Sequence, residues 1–553
     1  MIRNWFKRRA MAHGADDIVR LLATNRRAWR AALARRPKGP RVLIATNVTG
    51  FQHASLLEAV LAAALTLRGA EVHLTACDGA LPACQRVEQD LVPDPAVLWR
   101  DGISRQICRR CMAVGDAHFE PLSLRQHRLS QYITEADRAD ARDRCARLDR
   151  AALCALRTDA GDEVGMQGLA GALRYFATGD LPPGEDADNV LRRFVAAAVL
   201  MTCAFDRLLD REQYAAAVFH HGIYVPQGPT GDVLRRRGIR VVNWNPSYRK
   251  STFIFSHGNS YHYTLMNEPT EAWEGMTWSP DHEAAILDYL ASRAEATRDW
   301  IWFHEKPEHD AGVFARQLGL DLTRPLIGML SNVSWDAQLH YPANAFENMF
   351  DWVFKTFDYF AKRPELQLLL RIHPAEIRGT TPSRQPLLGE IQKRYPELPK
   401  NIFVIAPESN VSTYAAMALC STIIVYGTKM GVELSAVGKP VIVAGEAWIR
   451  NKGLTWDAQN QSDYFALLDR LPDMPAMSAE QIQRARMYAY HFFFRRMLPL
   501  PFIVPAKGKL YGLDIGDLTE LGRGKYPGLD AVCDGILEGA PFVYAAERLG
   551  THA

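Results

Sequence analysis

Three stretches of this sequence place polar side chains directly after runs of apolar residues, and the first is LLRIHPAE, residues 369 to 376. Arg371 and His373 follow leucines typical of a buried strand, and Pro374 fixes the backbone just beyond. An imidazole can donate a hydrogen bond to a phosphate oxygen, and a guanidinium can bind phosphate through two parallel hydrogen bonds. The stretch therefore predicts a phosphate contact. The alternative is a loop histidine satisfied by Glu376.

The second stretch is VYGTKMGVE, which ends at Glu433. Gly427 and Thr428 end an apolar strand, and a helix is predicted to begin near Gly431. Small residues at a strand end let a phosphate approach the backbone, and a helix N-terminus favours negative charge. Glu433, in the first turn, would repel a phosphate and instead suits hydrogen bonds from ribose hydroxyls. The alternative is a plain strand-helix-strand unit in which Glu433 is only a helix N-terminal charge.

The third stretch is SNVSWDAQ, which offers Ser331, Asn332, Ser334 and Asp336 after another apolar run. The carboxyl ends of parallel strands meet at one edge of a sheet, so the three stretches are expected to converge. Hydrogen-bonding groups beside a phosphate contact predict a nucleotide-sugar site. Ser331 and Asn332 are therefore predicted to bind the nucleotide sugar.

Chemistry at such a site needs no metal if side chains offset the charge of the leaving phosphate. His373, Arg371 and Lys429 are the predicted groups for this task. A base must also deprotonate the acceptor hydroxyl in an inverting transfer. The stretch VFHHGIYVPQG offers His221 for this role, with a buried structural pair of His220 and His221 as the alternative.

The elements that must position these residues alternate between strands and helices. Residues 41 to 75 read as a strand, a turn, an Ala/Leu-rich helix and a second strand. The turn TNVTGFQH lacks the three spaced glycines of a dinucleotide fingerprint, so no NAD site is predicted. The same alternation returns from 215 and again from 325, which predicts parallel sheets covered on both faces. The fold class is therefore α/β, with two Rossmann-like domains.

At 553 residues the chain is too long for one hydrophobic core. We predict, in order, a basic amphipathic leader, a first Rossmann-like domain carrying a helical insertion, a second such domain, and an aromatic tail that packs back on the body. These segments are 1–40, 41–310 with insertion 77–190, 311–485 and 486–553.

Four cysteines in the predicted insertion suggest a structural metal. Cys77 and Cys84 stand in CDGALPAC, and Cys108 and Cys111 in CRRC. A CxxC knuckle with two further thiols is the donor set of tetrahedral structural zinc, and stable disulfides are not expected in a cytoplasmic protein. The first spacing is wider than usual for zinc, so buried thiols without a metal are the alternative.

The leader, residues 1 to 41, holds twelve Lys/Arg against two Asp, with aromatic and aliphatic residues between them. This pattern suits a helix lying on an anionic inner-membrane surface, or a solvated helix packed on the body. It lacks the apolar core of a secretory signal, which predicts a cytoplasmic protein. A net charge of only +3 argues against a nucleic-acid partner.

The stretch RIHPAE, followed by YGTKMGVELSAVGKPVIV and YAYHFFFRR, resembles the capsule polysaccharide biosynthesis family of glycosyltransferases, which includes bacterial Kdo transferases. The resemblance covers mainly residues 320 to 500 and implies the two-domain GT-B fold. In that family the His of the His-Pro pair contacts the donor phosphate, and the Gly/Thr turn with its helix holds the nucleotide. These roles fall on His373, Gly427, Thr428 and Glu433.

The expected function is transfer of a sugar from a nucleotide-sugar substrate, with a CMP-Kdo-like donor preferred, to a surface polysaccharide or lipid-linked glycan. One alternative is a nucleotide-sugar 2-epimerase, which shares the fold and would convert the donor without an acceptor. The other is a non-catalytic scaffold in polysaccharide assembly.

Overall fold

A computed structural model describes residues 15–35, 39–295, 298–300, 308–340, 343–379, 381–506 and 509–549. The chain forms two compact units. The first comprises Met1–Phe176, Leu181–Thr264 and Arg496–Tyr544, and the second comprises Ala177–Asp180, Leu265–Arg495 and Ala545–Ala553. Each unit is built around one mainly parallel sheet.

The first unit contains a seven-stranded sheet in the order β13-β6-β5-β4-β1-β2-β3. Its strands are β1 (Arg41–Asn47), β2 (Glu71–Ala76), β3 (Arg125–Arg128), β4 (Ala216–His220), β5 (Arg240–Pro246), β6 (Thr252–His257) and β13 (Leu498–Pro499). Strands β1 to β5 run parallel, whereas β6 and β13 are antiparallel additions. A separate hairpin consists of β14 (Ile503–Ala506) and β15 (Lys509–Leu513).

The helices of the first unit cover both faces of its sheet. They are α1 (Ala15–Thr24), α2 (Arg26–Ala34), α3 (Gln52–Leu67), α4 (Pro95–Asp101), α5 (Arg105–Phe119), α6 (Glu135–Ala146), α7 (Arg150–Cys154), α8 (Val164–Phe176), α9 (Glu185–Arg211), α10 (Gln227–Arg236), α11 (Tyr261–Met266, which crosses into the second unit) and α22 (Pro527–Glu538). Short 3-10 turns lie at Glu120–Leu122, Leu129–Tyr132 and Leu518–Leu521. The Ala/Leu-rich α3 is buried along almost its whole length, which explains why its sequence shows no polar face.

The second unit contains a six-stranded parallel sheet in the order β12-β11-β10-β7-β8-β9. Its strands are β7 (Leu326–Leu330), β8 (Gln367–Arg371), β9 (Ile402–Ile405), β10 (Thr422–Val425), β11 (Val441–Val443) and β12 (Trp456–Asp457). Its helices are α12 (Glu271–Glu274), α13 (Pro280–Ala294), α14 (Ala311–Leu318), α15 (Met349–Phe360), α16 (Ala375–Arg378), α17 (Leu387–Arg394), α18 (Thr413–Ala418), α19 (Met430–Ala436), α20 (Gln461–Leu468), α21 (Ala479–Tyr490) and α23 (Ala546–Leu549). A 3-10 turn lies at Gln338–His340, and a π-helical turn, His491–Arg495, follows α21.

The division between the units differs from the predicted boundaries at 310 and 485. From Leu265 to Arg495 the chain belongs to the second unit, which therefore includes α13. Ile286, Tyr289 and Leu290 of this helix are buried. Single-sequence patterns predict the helix but not the element that covers its apolar face.

The leader, where the structure describes it, packs on the first unit. Ile18, Leu21, Leu22 and Trp29 are buried, and Asn25 caps α2 by accepting a hydrogen bond from the amide of Ala28. These four apolar side chains are therefore part of the protein core, whereas Val19 and Leu33 are exposed. Trp5, Phe6 and the first basic cluster lie outside the described residues. No helix in the described part of the chain is long and apolar enough to cross a membrane.

The aromatic stretch at 488 to 496 is divided between the units. Tyr488 to Phe494 are buried within the second unit, where the ring of Phe492 stacks on Trp448. From Arg496 the chain belongs to the first unit, and Leu498 pairs with Phe253 at the edge of the first sheet. Arg495 donates to the carbonyl of Ala272 and Arg496 to the carbonyl of Phe542.

Candidate functional site

The second sheet reverses its strand order between β7 and β10. Strands β8 and β9 follow β7 on one side of it. The chain then crosses to the other side of β7, where β10 and β11 are added. In open parallel sheets the carboxyl edge at such a switch point forms a crevice, because the connections leave in opposite directions. The predicted binding residues Ser331, Asn332, Gly427 and Thr428 all follow these two strands.

Hydrogen bonds join the strand ends at this switch point. The amide of Gly427 donates to Oδ1 of Asn332 at 3.3 Å, which links the ends of β10 and β7. The amide of His373 donates to Oγ of Ser331 at 3.0 Å, which links the ends of β8 and β7. A Cβ on Gly427 would lie 3.2 Å from Nδ2 of Asn332, so glycine keeps this approach close. The structure thus brings the three predicted loops together.

His373 has a defined proton arrangement. Its Nδ1 accepts a hydrogen bond from the amide of Ala375 at 3.1 Å, so the proton of the neutral ring is on Nε2. Burial and the nearby charge of Lys429 lower the pKa of His373 to about 4. At neutral pH the ring is therefore an uncharged N–H donor, as contact with a phosphate oxygen requires.

Glu433 occupies the centre of a buried ion-pair network in the second unit. Its carboxylate accepts from Nε of Arg293 at 3.0 Å, from Nζ of Lys429 at 3.0 Å, and from the hydroxyl of Tyr414 at 2.6 Å. Burial acts to raise the pKa of Glu433, but the charges of Arg293 and Lys429 outweigh it and lower that pKa to about 2. Glu433 therefore holds the ammonium of Lys429, whose charge lies near His373. The contact of Glu433 with ribose hydroxyls stays a prediction.

The neighbouring predicted residues Thr428 and Gly431 shape the start of α19. Oγ1 of Thr428 accepts from the amide of Met430 at 3.3 Å. A Cβ on Gly431 would lie 3.0 Å from Cγ2 of Ile449, so the glycine allows close packing of this buried helix. Both residues therefore fix the backbone that carries Lys429.

Arg371, the last residue of β8, is held by backbone carbonyls, and the phosphate contact predicted for it stays a prediction. Its buried guanidinium donates to the carbonyl oxygens of Ala406 and Ser409, which follow β9. Burial lowers the pKa of Arg371 to about 10. These bonds tie the end of β8 to the loop after β9, so the geometry favours a positioning role. Glu376 is also structural, because its carboxylate accepts from the amide of Leu387.

The first sheet has its own switch point, between β1 and β4, where His221 lies. The amide of His221 donates to the carbonyl of Trp244 at 2.9 Å, and its φ of 73° places it in the left-handed region. Such a conformation is uncommon for a residue with a Cβ and is held here by the surrounding contacts. The role of His221 as the base stays a prediction.

The sequence analysis missed Glu58 and His53, which lie beside this histidine pair. Glu58 is buried on α3 and accepts from the amide of His220 at 2.8 Å and from Nε1 of Trp244 at 2.9 Å. Burial raises the pKa of Glu58 to about 7. The ring of His53 lies edge-on to His220 with centroids 5.5 Å apart. The sequence does offer one signal for Glu58, because it is the one acidic residue in an otherwise Ala/Leu-rich helix.

The four cysteines predicted to bind zinc line one cavity in the first unit. CRRC lies within helix α5 and is not the predicted knuckle, so Cys108 and Cys111 are one helical turn apart. Among the residues that the structure describes, no group of three or more His, Cys, Asp or Glu could hold a single metal ion. All nine cysteines of the chain are free thiols.

Comparison with known protein families gives a match over the second unit. Residues 321–492 match the family described as capsule polysaccharide biosynthesis protein. This segment is similar to that family. The match contains His373, Lys429 and Glu433, and confirms the resemblance predicted over residues 320 to 500. No curated protein was found to match the chain.

The capsule polysaccharide biosynthesis segment also has likenesses among solved structures. The β-Kdo 2,4 transferase of Thermosulfurimonas dismutans KpsC is 14% identical, with a TM-score of 0.35 over 56% of this chain and 87% of that one. The β-Kdo 2,7 transferase of the same protein is 13% identical, with a TM-score of 0.31 over 55% and 84%. UDP-GlcNAc 2-epimerase from Neisseria meningitidis is 9% identical, with a TM-score of 0.26 over 81% and 94%.

Proposed function

We propose that this chain is a glycosyltransferase of capsule or related surface-polysaccharide synthesis, which uses a nucleotide-sugar donor. The observation that carries the proposal is the switch point of the second sheet, where a neutral imidazole donor and a lysine lie beside three hydrogen-bonded strand ends. The match of residues 321–492 to the capsule polysaccharide biosynthesis family supports the same conclusion.

The proposed donor contact is a phosphate at His373 and Lys429. Nε2–H of His373 donates to a phosphate oxygen, and the ammonium of Lys429 offsets the charge that grows on the leaving nucleotide. Lys429 already lies against Glu433, whose second oxygen is held by Arg293, so the lysine is positioned before the donor binds. Side chains thus supply the charge that a metal ion supplies in other transferases.

The proposed nucleoside contacts come from the ends of β7 and β10. Ser331 and Asn332 present hydroxyl and amide groups, and Gly427 and Thr428 keep the backbone accessible to a ligand. We propose CMP-Kdo as the donor and a surface polysaccharide or lipid-linked glycan as the acceptor, with His221 of the first unit as the base. The cytoplasmic site of action and contact with the inner membrane are part of the same proposal.

The first experiment is a thermal-shift screen of the full-length protein with CMP, UDP, GDP and ADP. A ligand that binds only the folded state must raise the midpoint, and a concentration of 100 times Kd adds about 2.7 kcal/mol. CMP is expected to give the largest rise. A preference for UDP would reject the Kdo-like donor, and no response to any nucleotide or nucleotide sugar would favour the scaffold.

A second assay separates transfer from epimerisation. The nucleotide sugar identified by the screen is incubated with the protein by itself and with a capsule oligosaccharide, and both reactions are followed by NMR. A transferase releases nucleotide faster when the acceptor is present and adds a sugar to it. Conversion of the donor sugar to its C2 epimer with no acceptor would instead identify an epimerase.

A further inference from the structure

The cavity lined by Cys77, Cys84, Cys108 and Cys111 lies in the first unit, whereas the proposed donor contacts belong to the second. Its remaining wall is made by apolar side chains, including Val48, Leu81, Ile103 and Ile107, and by Arg86. The cavity volume is about 20 Å³, whereas one water-sized sphere needs roughly 10 to 15 Å³. Four thiols from three chain segments thus line a cavity that is large enough for one water-sized sphere.

A backbone amide donates to one of these sulfurs. The donor is the amide of Gly50, and its acceptor is Sγ of Cys111 at 3.0 Å. Amide donors stabilise negative charge on sulfur, and they commonly surround thiolates that bind metal.

Gly50 lets the backbone come close to one of the sulfurs. A Cβ on Gly50 would lie 2.9 Å from Sγ of Cys111, closer than carbon and sulfur pack. Buried cysteines that serve only as small apolar side chains need neither such an approach nor an amide donor.

The arrangement favours a metal cluster over one ion. Zinc bound by four sulfurs at about 2.3 Å draws them to within roughly 4 Å of each other, and leaves no cavity between them. Here the four sulfurs line a cavity. In an iron–sulfur cluster each cysteine binds a different iron atom or shares one with a single other cysteine, so four sulfurs stand apart around the inorganic core.

We propose that Cys77, Cys84, Cys108 and Cys111 bind an iron–sulfur cluster. Arg86 lines the same cavity as Cys111, and offsets part of the negative charge of a four-thiolate cluster. The cluster joins the end of β2, the loop that carries Cys84, and α5. Through the Gly50 amide and the hydroxyl of Thr49, which donates to the carbonyl of Cys111 at 2.8 Å, it also fixes the turn after β1.

The test is metal and acid-labile sulfide analysis of the full-length protein purified without oxygen. The expected result is iron and sulfide in a ratio of about 1:1, at two or four irons per chain, with visible charge-transfer absorption. The Cys108→Ser variant is expected to lose most of the iron and sulfide. The matched control is Cys203→Ser, which changes a half-buried cysteine outside the cavity and should keep both.

Each other outcome overturns the proposal. About one zinc per chain without sulfide would identify a single-ion site, and four thiols that react with a thiol reagent in metal-free folded protein would identify ordinary cysteines. If Cys108→Ser does not fold, the wild-type iron and sulfide content decides by itself. Nucleotide binding, measured on the same samples by thermal shift, keeps failure here distinct from failure of the proposed function.

Discussion

Nζ of Lys429 lies 3.0 Å from Oε1 of Glu433, one helical turn away, and both groups are buried in the second unit. Burial lowers the pKa of Lys429, and the charge of Arg293 lowers it further, whereas Glu433 acts to raise it. The lysine is thus a charge held in place by one carboxylate. A phosphate that reached it would find a donor already positioned, which reduces the entropy lost on binding.

The first prediction concerns that charge. Lys429→Met is expected to weaken binding of the nucleotide identified by the thermal-shift screen by about 10- to 100-fold, the effect of losing one hydrogen bond to a charged group. Isothermal titration calorimetry measures the change. The control is Lys393→Met, which removes an exposed lysine paired only with Glu390 on the same unit. Equal affinities for the two variants would remove Lys429 from the site.

The second prediction separates two roles for Glu433. Glu433→Gln leaves Arg293 and Lys429 without their shared negative partner, so it should destabilise the protein by about 3 to 5 kcal/mol. Urea unfolding measures this loss, and the surface change Glu390→Gln is the control. Binding of ribose and 2′-deoxyribose nucleotides by the folded variant tests the other role. If Glu433 accepts from the ribose hydroxyls, wild-type preference for the ribose form disappears in the variant.

The third prediction uses the tautomer of His373. A bound phosphate adds negative charge beside a ring whose pKa is about 4 and should raise that pKa toward the ordinary 6.5. Binding near pH 5 is then accompanied by proton uptake, which disappears above the ordinary value. Calorimetry in two buffers of different ionisation enthalpy measures the protons, and a nucleotide sugar avoids titration of the ligand's own phosphate.

Two variants make this prediction specific. His373→Gln keeps an N–H donor but cannot titrate, so proton uptake should vanish while affinity at pH 8 changes only a few-fold. His373→Ala removes the donor and should lose about 10-fold in affinity at pH 8, and more near pH 5, where the wild-type ring also takes up a proton on binding. Proton uptake that persists in His373→Gln would assign the titration to another group.

The fourth prediction concerns Glu58 in the first unit. Its pKa is raised from 4.5 to about 7 by burial, so between these pH values the folded state keeps a proton that the unfolded state has released. Stability contributed by this proton is therefore complete below pH 4.5 and is lost as the pH rises through about 7. The total is about 3 kcal/mol at 1.36 kcal/mol per pKa unit.

The measurement for Glu58 is the midpoint of urea unfolding from pH 4.5 to 8. Glu58→Gln should remove this part of the pH dependence, because an amide can still accept from Trp244 and carries no titrating proton. Glu135→Gln changes a carboxylate that is 93% exposed in the same unit and should leave the slope as in the wild type. Identical slopes for all three proteins would show that Glu58 is ionised in the fold.

Several features follow from local sequence. The apolar runs that end in Ser331, His373 and Gly427 are strands, because their residues are buried on both faces of a parallel sheet. The motifs at 371–376 and 426–443 also carry the family resemblance, which the match over residues 321–492 confirms. These patterns depend on neighbouring residues in the chain, so one sequence is enough to reveal them.

Other features depend on partners distant in the chain. Glu433 meets Arg293 across 140 residues, and Arg371 is turned to carbonyls after β9, so neither partner was visible in the local pattern. The local sequence shows Glu58 only as one residue of an apolar helix, whereas in the fold it accepts hydrogen bonds from Trp244 and His220. The sequence by itself determined which segments become strands and which polar residues follow them. Only the tertiary structure decided which strands are neighbours and where each buried charge is compensated, because those choices minimise free energy over the whole fold.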